Sequence, residues 1–574
     1  MSKSLSDLRF VSVALVLFAL TCVPAAEGQR DASFRSVWAD AYHSGFKTSS
    51  QVNDLVARAV AGNYNAIIAE VLAYHDTGSG GHGAYWNSAL VPKASDVSSS
   101  YDPLAYLVSQ AHIAGIEVHA WIVPYRVCTS WPPSGNTLLI NHPEWTMVSI
   151  DDMGNGPAPI GPAGQAKYFL DPGSPDAQEY IVGIVRELVT DYAVDGINFD
   201  YIRYTQVDAG YPADENYAGS TLARFRDLTW YQGTPPPEGI SSWNDFRRRT
   251  INELVRRCRA EIPAITSNPQ QPVRLTADLI TFGDAPSNFT SSSAYQLHQN
   301  WPYWMEQGWL DAGIPMNYKR EHVSNEAQWY RNWVDVALYW RYARHVFCGQ
   351  GNYLNSMANS VTQLQYSLGQ GADGTCNYSY YYTADENLNG TPEANWSWYT
   401  YVASNLFTTP VPTPAMPWRH PDTAVEGTLW GRVFDPASGA PIDGAMITLS
   451  GVPSVETDGN GYYVVTMVPA DPGGTAYDIT ANKIGCPQEI ITGVVVYPGE
   501  VARQDIHLCD SWVAGDMNGD GQVDADDLPL FLFCLQGPGY PYVEGHVCLN
   551  GDMDGNMTID LADVAGFQSA FGGP

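Results

Sequence analysis

The stretch Asp195-Gly-Ile-Asn-Phe-Asp-Tyr-Ile-Arg-Tyr204 decides the fold of the larger part of this 574-residue chain. It follows an amphipathic segment, 175–192, and its pattern is that of a short strand that ends on an acid, Asp200. Alternation along a strand puts Asn198 and Asp200 on one face and the apolar Ile197 and Phe199 on the other. In a barrel of alternating strands and helices, catalytic groups lie where the strands end. We therefore predict that Asp200 points into a barrel mouth.

Outward from this stretch, strand-like runs alternate with helical runs between residues 34 and 407. Eight strand–helix units fit the pattern, which predicts an α/β fold of the (β/α)8, TIM-like type with enlarged loops. One of the predicted helices covers 294–307. The longest loops, around 126–170 and 204–242, follow the third and fourth strands and lie on the face predicted to carry the site.

The composition and the N-terminal segment restrict the classes of protein to which this chain can belong. The formal charge of −32 argues against nucleic acid and anionic membranes as partners, because both require basic surfaces. Residues 1–28 are predicted to be a secretory signal, since Lys3 and Arg9 precede an apolar run too short to span a bilayer. No other segment is apolar enough to cross a membrane. We expect a protein that is secreted or associated with the cell surface.

Three further segments follow the barrel, which we place at 29–407. Proline-rich residues 408–424 predict an extended linker. Short alternating strands separated by turns predict a small β-sandwich over 425–509. Exported cysteines can pair, and the nearest candidates are Cys486 with Cys509, Cys534 with Cys548, and Cys348 with Cys376. Cys128 and Cys258 are expected to be free and buried.

Residues 510–574 contain an internal repeat. Asp516-Met-Asn-Gly-Asp-Gly-Gln-Val-Asp-Ala-Asp-Asp527 recurs from Asp552 to Asp563, an offset of 36 residues. Ca²⁺ prefers six or more oxygen ligands on a tight loop, so we predict two calcium sites, the second weaker because Met557 stands where glycine is preferred. The predicted ligands are Asp516, Asn518, Asp520, Gln522, Asp524 and Asp527 in the first loop, and Asp552, Asp554, Asn556, Thr558, Asp560 and Asp563 in the second. An apolar helix follows each loop, and Leu528, Phe531 and Leu532 of the first are expected to pack against the second. Catalysis is expected to need no cofactor.

Three resemblances to known families rest on these motifs. Phe34-Arg-Ser-Val-Trp38, His119-Ala-Trp-Ile-Val-Pro-Tyr-Arg126 and Val194-Asp-Gly-Ile-Asn-Phe-Asp-Tyr201 together resemble the glycosyl hydrolase-like 10 family. Residues 428–463 resemble a carboxypeptidase regulatory-like domain, and the repeat with its helices resembles a type I dockerin, an α-helical module. The resemblances imply a modular glycoside hydrolase that cleaves O-glycosidic bonds of a poly- or oligosaccharide. They also imply calcium-dependent docking of the tail onto a cohesin-like or cell-surface protein.

Glycoside hydrolysis normally needs two carboxyl groups that flank the scissile bond. Asp200 is the first, and the candidates for the second are Asp278, Glu321 and Glu70, although Glu70 is equally consistent with a buried structural pair. Arg126 and Arg203 fit substrate binding or structural ion pairs, and His119 is expected to pack inside the barrel. The predicted substrate-binding residues are Asp40, His43, Glu70, Tyr74, His75, Trp121, Tyr125, Arg126, Tyr201, Arg203, Asn317 and Tyr318.

An alternative from another class stays open. The same barrel suits a catalytically silent carbohydrate-binding or surface-assembly protein that keeps an aromatic cleft without a working carboxyl pair. The discriminating feature is a second carboxyl that faces Asp200 across a cleft at roughly 5–10 Å.

Overall fold

The computed structural model describes residues 31–78, 82–266, 272–509, 514–519, 522–542 and 546–571. The predicted secretory signal, 1–28, lies outside these residues. Within them, no helix is both long and apolar enough to cross a membrane.

Eight parallel strands close a barrel, as the sequence predicts. Each strand pairs with the next one along the chain, and the last pairs with the first, where Phe34 lies opposite Gly374. The strands are β1 (Phe34–Ala39), β2 (Ala66–Leu72), β3 (Glu117–Ile122), β4 (Gly196–Phe199), β5 (Arg274–Leu279), β6 (Ala312–Pro315), β7 (His345–Gly351) and β8 (Gly374–Tyr378).

One principal helix follows each strand. Asp102 and Ser174 begin two of them as N-caps, each just before a proline in the first turn, where a missing N–H costs nothing. The helices are α1 (Ser49–Ala61), α2 (Pro103–Ile113), α3 (Pro175–Asp191), α4 (Ser241–Ile265), α5 (Trp301–Glu306), α6 (Ser324–Tyr339), α7 (Met357–Gln370) and α8 (Trp398–Asn405). The single helix predicted over 294–307 is wrong. Ser293–Gln296 is a separate short helix, because Pro302 suits the start of a helix and not its interior.

The strands separate two apolar layers. Ile197 and Phe199 pack outward against the helices, whereas Asn198 points into the barrel and binds Asp278 there. His119 also lies inside the barrel and is fully buried. Its ring packs directly on Gly196, so closely that a Cβ atom at that position would lie 2.1 Å from His119 Nδ1. The predicted inward and outward faces of β4, and the packing of His119, are thus confirmed.

The same alternation separates two cysteines. Cys348 lies opposite Thr375 in the register of β7 and β8, one position out of step with Cys376. Cys348 therefore faces the helices and Cys376 faces the barrel interior. The predicted Cys348–Cys376 pair is wrong, and both thiols are free, as are the buried Cys128 and Cys258.

Insertions after β3 and β4 build a small antiparallel sheet at the end of the barrel where the strands finish. Its strands, in spatial order, are Arg126–Cys128, Tyr168–Leu170, Thr146–Ser149 and Ala209–Pro212. Two helices, Thr137–Asn141 and Thr221–Thr229, belong to the same insertions. The predicted enlarged loops are therefore folded structure beside the site.

Residues 408–424 lie along the opposite end of the barrel and are not a free spacer. Ser33 N donates to Pro412 O (3.0 Å), and Asn65 Nδ2 donates to Val411 O (2.9 Å). Arg419 binds the fully buried Asp311 with two nitrogens, at 3.0 and 2.9 Å. A proline-rich segment makes few hydrogen bonds of its own, so its carbonyl groups are available to donors of the barrel.

The predicted sandwich is confirmed and consists of two four-stranded sheets. The strands are β9 (Glu426–Phe434), β10 (Met446–Leu449), β11 (Val452–Glu456), β12 (Tyr462–Pro469), β13 (Thr475–Lys483), β14 (Cys486–Val496), β15 (Val501–Arg503) and β16 (Ile506–His507). The first sheet has the order β12-β9-β15 with β16 beside β9, and the second has the order β11-β10-β13-β14. Arg224 of the barrel ion-pairs with both Glu253 (3.0 Å) and Asp443 of the sandwich (2.7 Å).

The tail contains two helices, α9 (Leu528–Cys534) and α10 (Leu561–Ala570). Phe531 stacks on Phe567 with ring centroids 4.1 Å apart, as predicted, but Leu528 and Leu532 are exposed. The helix α9 spans only two turns and buries one narrow face, which includes Phe531. Leu528 and Leu532 lie outside that face. The predicted Cys534–Cys548 and Cys486–Cys509 disulfides are both present.

Candidate active site

Three carboxyl groups share the interior of the barrel. Asp278 on β5 and Glu70 on β2 are each 2% exposed, and Asp200, directly after β4, is 7% exposed. Asn198 Nδ2 donates to Asp278 Oδ2 (3.0 Å). The Trp38 side chain is a second donor near this carboxyl, although neither its indole nitrogen nor Asp278 Oδ1 makes a hydrogen bond of good geometry among the described residues. An unsatisfied buried carboxyl oxygen leaves an acceptor and a proton position available for a substrate.

The surroundings of Asp200 and Asp278 push their proton affinities apart. Burial raises the pKa of Asp278 well above its usual range, the charge of Asp200 raises it further, and Asn198 opposes this only in part. Burial also raises the pKa of Asp200, but Arg126, Arg203 and the Tyr201 N–H (2.6 Å to Oδ1) stabilise its charged form. Asp200 is therefore the first of the pair to ionise, and Asp278 keeps its proton.

Glu70 is a second protonated acid in this interior. Burial raises its pKa to about 8, while Arg126 and the Ala41 N–H, which donates to Oε2 (2.9 Å), lower it. The charges of Asp40 and Asp200 raise it too, so Glu70 lies close enough to Asp200 to sense its ionisation.

Two arginines and a tyrosine cover Asp200. The Arg203 guanidinium lies over the Tyr201 ring at 3.9 Å, and that of Arg126 lies 5.0 Å from the same ring and 4.7 Å from Tyr74. Tyr201 has a left-handed backbone (φ 51°) and is 37% exposed, so it stands at the rim of the cleft. The predicted cluster of Tyr74, Arg126, Tyr201 and Arg203 thus lies together beside the acid.

Aromatic rings form the opposite wall. Tyr318, a predicted residue, stacks on Tyr378 at 5.6 Å and lies beside Asp278. Trp121, also predicted, lies beside Asp200. Trp38 and Tyr378 are not among the predicted site residues, although each lies at the end of a barrel strand, β1 and β8, on the inward face. Rings at these positions can stack on the faces of sugar rings.

Asp40 and His43 lie at the rim. Asp40 Oδ1 accepts hydrogen bonds from the Tyr42 and His43 N–H groups and pairs with the His43 ring nitrogen Nδ1 at 2.7 Å. The His43 ring stacks on Tyr381 at 4.8 Å. This turn places both predicted residues on the cleft side of β1.

Two predicted residues belong to the layer between barrel and helices instead of the cleft. Glu321 ion-pairs with Arg331 of α6 (2.6 Å), so it is not the second carboxyl. Asn317 donates from Nδ2 to Tyr330 O (2.8 Å), also on α6. Both follow the end of β6, where strand alternation no longer fixes the direction of a side chain.

His75 and Tyr125 also lie away from the predicted position in the cleft. The His75 ring, fully buried, bonds through Nε2 to Pro124 O (2.9 Å), and burial lowers its pKa to about 4. Tyr125 is 1% exposed and packs in the outer core near Tyr204 and Cys258. Neither residue contacts the cleft.

A cavity of about 640 Å³ lies among the insertions, and none of the three acids lines it. Its lining includes Thr205, Val207 and Asp208, which follow the decapeptide around Asp200, and Leu297. Leu297 O accepts from Tyr204 N (3.1 Å), which fixes this wall to the segment that carries Asp200. The volume is within the range of ligand sites.

Carboxylates also converge in the tail. Oxygen atoms of Asp552, Asp554 and Asp563 lie within 4.8 Å of one another. Asp563 accepts from Met553 N (2.7 Å) and Asp560 N (2.9 Å), and Asp527 accepts from Met517 N (2.7 Å) and Asp524 N (2.8 Å) in the same way. The last aspartate of each loop therefore accepts the same pair of backbone N–H groups, and the hard oxygen donors of the described loop residues fit Ca²⁺. Asp520 of the first loop lies outside the described residues.

The comparisons with known proteins agree with this architecture. The model of the Glycosyl hydrolase-like 10 family matches residues 33–367, more than half of the chain, and that of the Carboxypeptidase regulatory-like domain matches 428–509. Glycosyl hydrolase DigH of Escherichia coli (strain K12) is 29% identical over 240 residues, which cover 41% of this chain and 49% of DigH. Glycosyl hydrolase YngK of Bacillus subtilis (strain 168) is 23% identical over 338 residues, which cover 54% of this chain and 59% of YngK.

The chain thus spans about half the length of the relatives it matches. Among solved structures, alpha-L-fucosidase isoenzyme 2 from Paenibacillus thiaminolyticus aligns with a TM-score of 0.42 at 14% identity, over 65% of this chain and 49% of that one. With the barrel, its inward carboxyl groups and the extent of the family match, the chain belongs to the Glycosyl hydrolase-like 10 family.

Proposed function

We propose that this chain is a glycoside hydrolase that cleaves O-glycosidic bonds of a poly- or oligosaccharide with the pair Asp200 and Asp278. One observation carries the proposal: two carboxyl groups share the buried interior of the barrel. Burial raises the pKa of both, but two arginines favour the charged form of Asp200, and the charge of Asp200 favours a proton on Asp278. This division of labour is what hydrolysis of a glycoside requires.

Each acid has a role that follows from its neighbours. Asp278 keeps a proton near neutral pH and donates it to the oxygen of the leaving group. Asp200, whose charged form Arg126 and Arg203 stabilise against the effect of burial, attacks the anomeric carbon or activates a water molecule that does so. Tyr318, Tyr378 and Trp121 hold the sugar rings between these acids.

Glu70 is the alternative proton donor. Its pKa of about 8 keeps it protonated at neutral pH, and the small rise that the charge of Asp200 adds to that pKa supports a position near the same reaction. The two candidates differ in their hydrogen bonds, since Glu70 accepts from the Ala41 N–H whereas Asp278 Oδ1 is free for a substrate among the described residues. This difference favours Asp278.

The tail supports a second part of the proposal, an exported enzyme that is anchored through calcium. The two loops carry matched carboxylates, Asp527 and Asp563, at their last positions, and each precedes a short helix. A type I dockerin-like tail would fold on Ca²⁺ and dock onto a cohesin-like or cell-surface protein. The predicted signal at residues 1–28 agrees with export.

A glycan-panel hydrolysis screen with the full chain tests the catalytic proposal. Asp200→Asn keeps the shape of the side chain and removes its charge, so the rate should fall by orders of magnitude with the fold intact by circular dichroism. Asp245→Asn makes the same chemical change at an exposed acid of α4 and should leave the rate unchanged. Unchanged turnover in Asp200→Asn would show that Asp200 is not a catalytic residue. Glycans that bind to the wild type without being cleaved would favour the silent carbohydrate-binding protein.

A further inference from the structure

A second cleft, of about 330 Å³, lies between the barrel and the sandwich. The barrel contributes Arg256 of α4 and Tyr303 of α5, and the sandwich contributes Ser454 of β11. None of the residues that line this cleft belongs to the candidate active site. At one end Thr466 Oγ1 donates to Gln307 O (2.6 Å), which ties the two walls together. The volume suits a ligand of one or two sugar rings.

Three arginines of α4 lie near this cleft, and one of them differs from the others. Arg249 binds Glu253 (2.9 Å) and Glu456, and Arg257 binds Glu179 (2.7 Å) and Glu261 (3.1 Å).

Arg256 is 9% exposed, and within the described parts of the chain no protein acceptor bonds to its guanidinium group. Its nitrogens are not among the fully buried unpartnered atoms, so they still reach solvent at the cleft. A ligand that brings a carboxylate oxygen into the cleft would replace that water with a charge-assisted hydrogen bond.

The acids around Arg256 have partners of their own. Glu253 and Glu456 both bind Arg249, and Asp458 Oδ1 accepts hydrogen bonds from the Asn460 and Tyr462 N–H groups at 2.9 and 2.8 Å. Asp458 and Glu253 act on Arg256 through their charges alone. The cleft is thus roughly neutral, and recognition of an anion rests on the directed N–H donors of Arg256.

Exposed tyrosines continue the cleft onto the surface. Tyr303 lies beside Arg256 and contacts the edge of Trp309 at 5.3 Å. Tyr303, Tyr342 and Tyr339 are 38%, 49% and 80% exposed. Glu306 lies near both Tyr303 and Tyr342, and Tyr339 lies near Tyr342, so the three rings are neighbours on this surface. A patch of exposed rings beside a polar cleft is typical of an interaction site.

We propose that this cleft is a second glycan-binding site, in which Arg256 holds the carboxylate of an acidic sugar and the exposed tyrosines stack on neighbouring sugar rings. The choice of a sugar as the ligand rests on the proposed function. The site itself rests on the cavity, the unpaired arginine and the aromatic patch.

Isothermal titration of the full chain in an Asp200→Asn background tests the proposal without turnover. The probes are trisaccharides of galacturonate, glucuronate and mannuronate, each compared with its neutral methyl ester. At least one acid should bind about tenfold or more tightly than its ester, because a charge-assisted hydrogen bond is lost in the ester. Arg256→Gln should abolish the difference, Arg256→Lys should keep part of it, and Arg226→Gln, elsewhere on the barrel, should leave it intact.

The outcomes separate this site from the catalytic proposal. Tyr303→Ala should weaken binding of acid and ester alike, since stacking does not depend on charge. No preference for any of the three acids, or a preference that survives Arg256→Gln, would overturn the proposal. Carboxylate-dependent binding in a chain that hydrolyses no glycan would uphold the cleft and overturn the proposed function. Hydrolysis that depends on Asp200, without binding at the cleft, would do the reverse.

Discussion

Replacing Asp278 by asparagine tests the assignment of the proton donor. The substitution keeps the size of the side chain, and the Asn198 Nδ2 bond (3.0 Å) still finds an oxygen acceptor. It removes the proton that a glycosidic oxygen needs when the leaving group is a sugar. We expect the loss to depend on the leaving group, because an activated aryl group departs without protonation.

The expected magnitude follows from the cost of losing a general acid. Such a group contributes about 10²–10⁴-fold, so kcat/KM on natural oligosaccharides should fall by that factor, whereas dinitrophenyl glycosides should lose less than about tenfold. The pH dependence has a defined sign. Asp278 works protonated and its pKa is raised, so wild-type activity is lost as the pH rises through that pKa. In Asp278→Asn this alkaline limb should disappear for the aryl substrates.

The assay is kcat/KM against pH for both substrate classes, with circular dichroism as the check on folding. Glu321→Gln is the matched control, because Glu321 binds Arg331 in the helix layer and should be catalytically neutral. Equal losses on both substrate classes, with the alkaline limb retained, would refute the reasoning and transfer the role to Glu70.

Other predictions address the linker, the tail and the cysteines. Arg419→Ala should lower the free energy of unfolding of the barrel by about 3 kcal/mol in denaturant titrations, because Asp311 stays buried without its main partner, whereas the exposed Arg503→Ala should cost less than about 1 kcal/mol. Chelation of calcium should abolish hydrogen-exchange protection of the Met553 amide, which donates to Asp563, and indifference to chelator would contradict a calcium-dependent tail. Thiol titration of the denatured, unreduced mature chain should give four free thiols, and two would restore the Cys348–Cys376 disulfide.

The order of strands and helices in the barrel was predictable because the chain repeats one strand–helix unit. Period-two alternation also fixed the inward direction of Asn198, and Asp278 on β5 and Asp200 directly after β4 both reach the interior where the sequence pattern placed them.

Residues beyond the strand ends had no such guide. His75 and Glu321 lie in loops, and their directions depend on partners on helices, Tyr180 and Arg331, that strand alternation does not predict. The linker was misjudged for the same reason. Its proline content indicates an extended chain, but the donors that bind its carbonyl groups belong to the start of the barrel.

The bound linker and the Arg224 ion pairs have a mechanical consequence. The sandwich is held to the barrel both through the linker and through its own face, and the tail touches both bodies, through Asn550 on Gly485 O (2.9 Å) and His546 on Asp227 (3.1 Å). If the tail anchors the chain, these contacts would keep the barrel from moving relative to the tail. The catalytic mouth would face a fixed direction at a fixed height above the anchoring surface, and the geometry of attachment would decide which strands of a substrate come within reach.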